Sequence, residues 1–367
     1  SAQLWPAMLD RHLTHRLMRV SDSVKTEFSI PVRNPLKALF RRIGTLDSDY
    51  DKDIKLALGC AMSRDAADGR PANVWIPGLL NEDAALYATA GILTHGCIAN
   101  LDVYVERLPD PLFEPAFALG KKVSGYLGDA APLRWAAVHY SEHGRDQYLS
   151  QPERAVKEAI APFAGAYGAL LRQRLPAGVV TDGQLEEGRL DGYRLLFLPT
   201  PDHLTEPMQR AVAAFEKAGG LVLAQRPAWN WWDPATLEDT RRRFLDAIDE
   251  GDARPPLRVT GGPPALHAVP YRTAAGDRLV VLLCNDFSWV WTGTKKNKAR
   301  TPQAVLDNQD PPSPCRGVSV TISGAEKPQA ALEAVSGKSL DVEADGSQWT
   351  VALPDFGYMA AVVFDLG

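Results

Sequence analysis

The feature that most constrains the fold is a regular alternation of short apolar runs and helical patterns between residues 135 and 252. The apolar runs have strand length and are continuous, as expected for strands that are covered on both faces. Helices are predicted from about Pro152 to Arg174 and from Thr205 onward. Strands that alternate with helices pair in parallel through right-handed crossovers, so this region predicts a doubly wound α/β domain. The apolar runs are residues 135–140, 178–180, 193–198 and 221–224.

The two flanking regions have different patterns. Residues 72–77 and 97–101 read as strands on either side of a helix, and residues 111–128 read as another helix. These units are too few for a complete (β/α)8 barrel, which needs about 200 residues or more. From about residue 254 onward, short strands alternate with Gly, Pro, Asn and Asp turns, which favours a β-sandwich. The most apolar of these strands is Arg278–Cys284.

Composition excludes several classes of function. The 40 Lys and Arg residues and 45 Asp and Glu residues give a net charge of −5, so no nucleic-acid partner is expected. No run approaches the roughly 18 apolar residues that cross a bilayer, so no membrane partner is expected. The N-terminus shows no signal-peptide pattern, but the chain does not begin with Met, which leaves cytoplasm and periplasm both open.

Neither a metal site nor a cofactor is predicted from the sequence. The four cysteines form no CxxC pair, and we expect them to be small buried apolar side chains. None of the seven histidines has the spacing of a metal site.

Four segments of the middle region together form a pattern that is found in a known group of proteins. The segments are Val138-His139-Tyr140-Ser141-Glu142, Asp182-Gly183-Gln184-Leu185, Leu190-Asp191-Gly192-Tyr193 and Gly219-Gly220-Leu221-Val222-Leu223-Ala224. They resemble the amidotransferase-like second domain of certain glycoside hydrolases, called the trimerisation domain in one group of bacterial β-galactosidases. A related group of α-L-fucosidase-like and uncharacterised hydrolases has an even closer pattern.

The resemblance covers roughly residues 60–367 and implies three domains. These are the C-terminal portion of a (β/α)8 barrel in residues 1–134, an amidotransferase-like domain in 135–253 and a β-sandwich in 254–367. The earlier barrel strands do not fit into this chain, so it is a fragment, its barrel has been lost in part, or another polypeptide completes it. A working amidotransferase needs a nucleophilic cysteine, and all four cysteines lie outside the middle region, so glutamine hydrolysis is not expected.

Two carboxylates are candidates for glycosidic bond cleavage. Glycosidases place two carboxyl groups around one sugar ring, and a barrel carries its catalytic residues at the carboxyl ends of its strands. Glu27 and Asp102 occupy positions of this type. The alternative for Glu27 is a solvated or ion-paired loop carboxylate, and the alternative for Asp102 is a helix cap or a structural hydrogen-bond acceptor. Trp75 and Asn73 on a predicted strand are candidates for binding sugar, with core packing as the alternative for Trp75.

A second polar group, Glu142, His143 and Arg145, follows a buried strand of the middle region, where open α/β sheets bind ligands. We predict these residues to bind substrate, with a hydrogen-bonded domain junction as the alternative. The function predicted first is a glycoside hydrolase-like protein that cleaves, or once cleaved, a glycosidic bond in a carbohydrate substrate. The alternative is a non-catalytic carbohydrate-binding or oligomerisation protein, and a homo-oligomer is expected in both cases.

Overall fold

The structure, a computed structural model, describes most of the chain and divides it into two compact units. The first unit comprises residues 1–74, 134–173 and 177–255, and the second comprises residues 75–133, 174–176 and 256–367. The described residues are 2–3, 24–27, 52–76, 82–101, 113–148, 150–226, 242, 246–251, 255–285, 312–324 and 327–367.

Helices and strands of both units are numbered along the chain. The helices are α1 (Lys52–Ala66), α2 (Glu82–Thr94), α3 (Glu114–Leu127), α4 (Glu142–Asp146), α5 (Pro152–Ala155), α6 (Ala161–Arg172), α7 (Asp182–Glu186) and α8 (Glu206–Lys217). The strands are β1 (Ala2–Gln3), β2 (Val24–Glu27), β3 (Ala72–Ile76), β4 (Ile98–Leu101), β5 (Ala130–Pro132), β6 (Ala136–Tyr140), β7 (Ala177–Thr181), β8 (Leu195–Leu198), β9 (Leu221–Ala224), β10 (Leu257–Thr260), β11 (His267–Thr273), β12 (Arg278–Cys284), β13 (Ser319–Ser323), β14 (Ala330–Glu333), β15 (Lys338–Ser339), β16 (Glu343–Asp345), β17 (Gln348–Ala352) and β18 (Met359–Asp365).

A four-stranded parallel sheet in the order β7–β6–β8–β9 forms the centre of the first unit. All five residues of β6 are buried, as the continuous apolar run predicts. Helix α8 covers one face with Met208, Val212 and Phe215, whose spacings of four and three place them on one side of the helix. The alternation of strands and helices therefore predicts the parallel pairing of this region correctly.

The long helix predicted from Pro152 to Arg174 is interrupted in the structure. A π-helical segment, Val156–Ile160, separates α5 from α6. Pro162 lies in the first turn of α6 and has no backbone N–H to donate into the preceding turn. A proline at this position is compatible with the start of a new helical segment, and it accounts for the break.

Other strands of the first unit precede the parallel sheet in the chain. β1 and β2 pair in parallel, with Gln3 opposite Glu27, and β2 neighbours β3 in their sheet. Helix α1, which the sequence patterns did not reveal, packs against β7 and α6. The Asp65 carboxylate of α1 accepts a hydrogen bond of 2.7 Å from the backbone N–H of Val179, which fixes the helix to the sheet.

Two antiparallel sheets form most of the second unit. Their strand orders are β15–β14–β18–β12–β11–β5 and β10–β13–β17–β16. Side chains from both sheets, including Val281, Phe364, Val320 and Val351, belong to one buried hydrophobic cluster. Helix α2 packs against β11, β12 and β18 of the six-stranded sheet. The region that the sequence assigns to short strands is therefore antiparallel throughout its described part.

The structure confirms that the cysteines are buried, because all four are buried free thiols. Burial raises the pKa of the Cys315 thiol to about 12, although the nearby Arg174 acts to lower it. Within the described ranges, no helix has the length and apolar character to cross a membrane.

Candidate functional site at the carboxyl edge of the parallel sheet

The structure describes the strands that carry or precede the predicted catalytic and sugar-binding residues. Glu27 is the last residue of β2, and Asn73 is half-buried on β3. Trp75 also belongs to β3, but the side chains of Glu27 and Trp75 lie outside what the structure describes. Asp102 follows β4 directly and is itself outside the described residues. The catalytic pairing of Glu27 with Asp102 therefore stays a prediction.

The second predicted group, Glu142, His143 and Arg145, lies together in helix α4 immediately after β6. Ser141 begins this helix, because its Oγ accepts a hydrogen bond of 2.9 Å from the backbone N–H of Gly144. This short capped helix places the group at the carboxyl edge of the parallel sheet, where open α/β folds bind ligands.

A buried histidine–aspartate pair joins the ends of β6 and β7 beneath helix α4. The His139 Nε2 atom lies 2.8 Å from Asp182 Oδ1, and the His139 side chain is fully buried. The other carboxylate oxygen, Oδ2, accepts a hydrogen bond of 2.6 Å from the backbone N–H of His143. Both oxygens of Asp182 are thus used to hold an imidazole and a helix turn in place.

His203 adds a second imidazole at the same edge, after the end of β8. Its ring lies so close to Gly144 that a Cβ atom built on Gly144 would be 2.7 Å from His203 Cδ2, so a side chain here would displace the ring. Three buried polar atoms of this edge have no hydrogen-bond partner among the described residues. They are His139 Nδ1, Thr200 Oγ1 and His203 Nε2.

Arg145 is directed into the first unit. Its side chain is 1 % exposed, its Nε donates to Asp146 Oδ1 at 2.8 Å, and its Nη1 donates to the Tyr140 hydroxyl at 3.3 Å. Burial raises the pKa of Tyr140 above its ordinary value, so the phenol is neutral at physiological pH. Arg145 thus has a described role in anchoring helix α4, and its contact with substrate stays a prediction.

Arg226 brings a positive charge to the end of β9, where it pairs with Glu158 and lies 3.7 Å from Asp202. With Asp182 and Glu142 at the same edge, positive and negative groups are interspersed. This edge is therefore suited to hydrogen bonding with a polar, uncharged ligand rather than to binding a polyanion.

The sequence patterns alone did not single out His139, Asp182, Thr200 and His203. A signal was present in the sequence, since Asp182 directly follows β7, Thr200 is the second residue after β8, and His139 interrupts an apolar strand. The carboxyl ends of parallel strands meet at one edge, so every polar residue that follows such a strand is a candidate for this cluster.

The stability of the first unit is expected to depend on pH through His203. Burial, and then the charge of Arg226, hold the pKa of His203 below its ordinary value. The unfolded chain consequently binds this proton more readily than the folded chain, so stability is lost as the pH falls below about 6.5. Urea unfolding between about pH 5 and pH 8 should show a smaller acid loss for His203→Gln than for the unmodified chain. An equal acid loss in both proteins would contradict this assignment.

Comparison with known proteins shows likeness in fold without close sequence relatives. No family model and no curated protein matches the sequence. The α-L-fucosidase isoenzyme 2 from Paenibacillus thiaminolyticus is similar with a TM-score of 0.60 and 13% identity, over 99% of this chain and 81% of that one. The apo exo-carrageenase from Bacteroides ovatus gives 0.51 at 9% identity, over 96% of this chain. The rhamnosidase from Novosphingobium sp. PP1Y gives 0.50 at 12% identity, over 94% of this chain.

The chain spans about half of the carrageenase and about a third of the rhamnosidase, with coverages of 49% and 35%. At these identities the likeness concerns the fold. The structure is therefore a mixed α/β fold with several sheets that is similar to the folds of these three proteins.

Proposed function

We propose that this chain is a glycoside hydrolase, or part of one, that cleaves a glycosidic bond with the carboxylates of Glu27 and Asp102. The observation that supports this most strongly is the similarity of 99% of the chain to an α-L-fucosidase with a TM-score of 0.60. In this proposal residues 1–134 are the C-terminal portion of a barrel, residues 135–253 are amidotransferase-like and residues 254–367 are a β-sandwich.

The strands of the first region support a sugar site at their carboxyl ends. β1 and β2 are parallel and β2 neighbours β3, which is the chain-ordered arrangement of barrel strands. Glu27 ends β2 and Asp102 directly follows β4. One carboxyl group would protonate the leaving oxygen, and the other would act as nucleophile or activate a water molecule. Trp75 and Asn73 on β3 would contact the sugar.

The carboxyl edge of the parallel sheet would provide the accessory contacts in this proposal. Glu142 and His143 follow β6 in helix α4, and the His203 ring lies against Gly144 of the same helix. Hydroxyl-rich ligands would find both donors and acceptors there. All four cysteines lie outside residues 135–253, which agrees with a domain that binds or positions rather than one that attacks glutamine.

A non-catalytic carbohydrate-binding or oligomerisation role is the second candidate. It is favoured by the contacts of two polar residues at the carboxyl edge of the parallel sheet. Asp182 and Arg145 both form their hydrogen bonds or ion pairs with other residues of the first unit. Groups held in this way stabilise the domain without needing a substrate.

A panel of nitrophenyl glycosides, including the α-L-fucoside and the α-L-rhamnoside, separates the two candidates. We expect release of nitrophenol from at least one glycoside by the unmodified chain, and the same release by Glu216→Gln, which changes an exposed carboxylate of α8. If no glycoside is hydrolysed while a free sugar of the panel raises the thermal unfolding midpoint, the chain is a binding protein and the proposal fails.

A further inference from the structure

The second unit contains a fully buried cluster of two imidazoles and a thiol. His95, His267 and Cys284 are each 0% exposed. One potential ligand atom from each residue lies within 4.8 Å of the other two. We propose that this cluster is a binding site for a thiophilic d10 metal ion, Zn²⁺ or Cu⁺.

The fold sets the position of each ligand. His267 and Cys284 are directly opposite each other in the antiparallel pair β11 and β12, so their side chains emerge on the same face of the sheet. His95 follows the last residue of α2, which packs against both strands. The Tyr271 hydroxyl donates to the carbonyl of Thr94 at 2.8 Å and ties the end of this helix to β11.

The separation of the two imidazole nitrogens is close to that of two ligands in a metal centre. The His95 Nε2 and His267 Nδ1 atoms lie 3.1 Å apart. With metal–nitrogen bonds of about 2.0–2.1 Å and metal–sulfur bonds of about 2.3 Å, the two nitrogens and one sulfur of a tetrahedral site are about 3.3–3.6 Å apart. The two nitrogens are thus about as close as two ligands of one ion, and the Cys284 Sγ atom lies within 4.8 Å of a nitrogen of each ring.

The ligand chemistry selects the class of ion. Imidazole and thiolate favour zinc and copper, whereas calcium and magnesium require oxygen ligands. A cation would also offset the charge of the buried thiolate, whose desolvation is costly when it stands alone. The cluster therefore supplies three ligands of the types that zinc and copper favour.

Metal binding requires the thiol proton to leave and one imidazole proton to move. The Cys284 S–H bond breaks, a sulfur–metal bond forms and the proton passes to solvent. The proton shared by His95 Nε2 and His267 Nδ1 moves to the far nitrogen of one ring, which leaves both facing nitrogens able to bind the ion. Metal binding is thus expected to release one proton per chain and to weaken as the pH falls.

The test is metal stoichiometry of the full chain, with a matched cysteine control. The chain is loaded with Zn²⁺ in one arm and with Cu⁺ under reducing conditions in the other, and is then desalted and analysed by plasma mass spectrometry. We expect one equivalent in at least one arm for the unmodified chain and for Cys315→Ala, which changes another fully buried thiol of the second unit. Cys284→Ala should lose this equivalent.

Two further measurements keep the test decisive if Cys284→Ala folds poorly. Co²⁺ added to the unmodified chain should give a thiolate-to-cobalt charge-transfer band in the near ultraviolet. The bound ion should also raise the thermal unfolding midpoint, because it binds the folded state in preference. If the unmodified chain binds neither ion after loading or after refolding with metal, or if Cys284→Ala binds as much, the site does not exist.

Discussion

Replacing Glu27 with glutamine is expected to lower kcat/KM for the hydrolysed glycoside by about 10²–10⁴-fold, the usual contribution of a positioned acid or base. Glutamine keeps the size of the side chain but can neither ionise nor donate a carboxyl proton. Asp102→Asn is expected to have an effect of the same order, because both carboxyl groups act on one bond. Initial rates over a range of substrate concentrations measure the loss.

Glu216→Gln is the matched control for Glu27→Gln, because it makes the same chemical change on an exposed face of α8. Its kcat/KM should equal that of the unmodified chain. The thermal unfolding midpoints of the unmodified chain, Glu27→Gln and Glu216→Gln should agree within a few degrees. A lower rate then cannot be attributed to a smaller amount of folded protein. Unchanged turnover in Glu27→Gln and Asp102→Asn would remove the assignment of both residues.

Asp182→Ala is expected to lower the free energy of unfolding by about 2–4 kcal/mol. The alanine leaves His139 Nε2 and the backbone N–H of His143 without their shared acceptor. Each buried polar group left unsatisfied costs about 1–3 kcal/mol. Urea unfolding followed by far-ultraviolet circular dichroism measures the difference.

Asp182→Asn provides a graded comparison at the same position. Its single carbonyl oxygen must face the backbone N–H of His143, which leaves the amide NH₂ facing His139 Nε2. The imidazole must then carry its proton on Nδ1, an atom with no hydrogen-bond partner among the described residues. We expect about half the loss of Asp182→Ala, whereas Asp191→Ala, at an exposed turn, should change stability by less than about 0.5 kcal/mol. Equal stability of Asp182→Ala and Asp191→Ala would contradict the proposed role of this carboxylate.

Local patterns were sufficient for much of the parallel sheet. The apolar runs of β6 and β8 are buried, so their composition reports both their length and their environment. The prediction that residues 221–224 are also covered on both faces was wrong, because β9 is half-buried over Leu221–Leu223 and exposed at Ala224. The helix start at Thr205 and its end before Gly219 were also readable, because Thr205 precedes the first helical residue and Gly219 has a φ of +89°. These features depend on neighbouring residues alone.

Contacts between residues far apart in the chain were not accessible in this way. β5 joins the six-stranded sheet by pairing Pro132 with Tyr271, which no local pattern records. His139 and Asp182 are 43 positions apart, and His95 and His267 are 172 positions apart. Only the register of the sheets brings such residues together, which is why both clusters emerged from the structure and not from residue spacing.

A double-variant cycle on Glu27 and Asp102 tests the central claim most directly, because it asks whether the two carboxylates act on the same bond. kcat/KM is measured for the unmodified chain, Glu27→Gln, Asp102→Asn and the double variant. Residues that act as a unit lose their effects together, so the double variant should be about as slow as the slower single variant. Losses that multiply in the double variant, or full activity in either single variant, would contradict a shared glycosidase site.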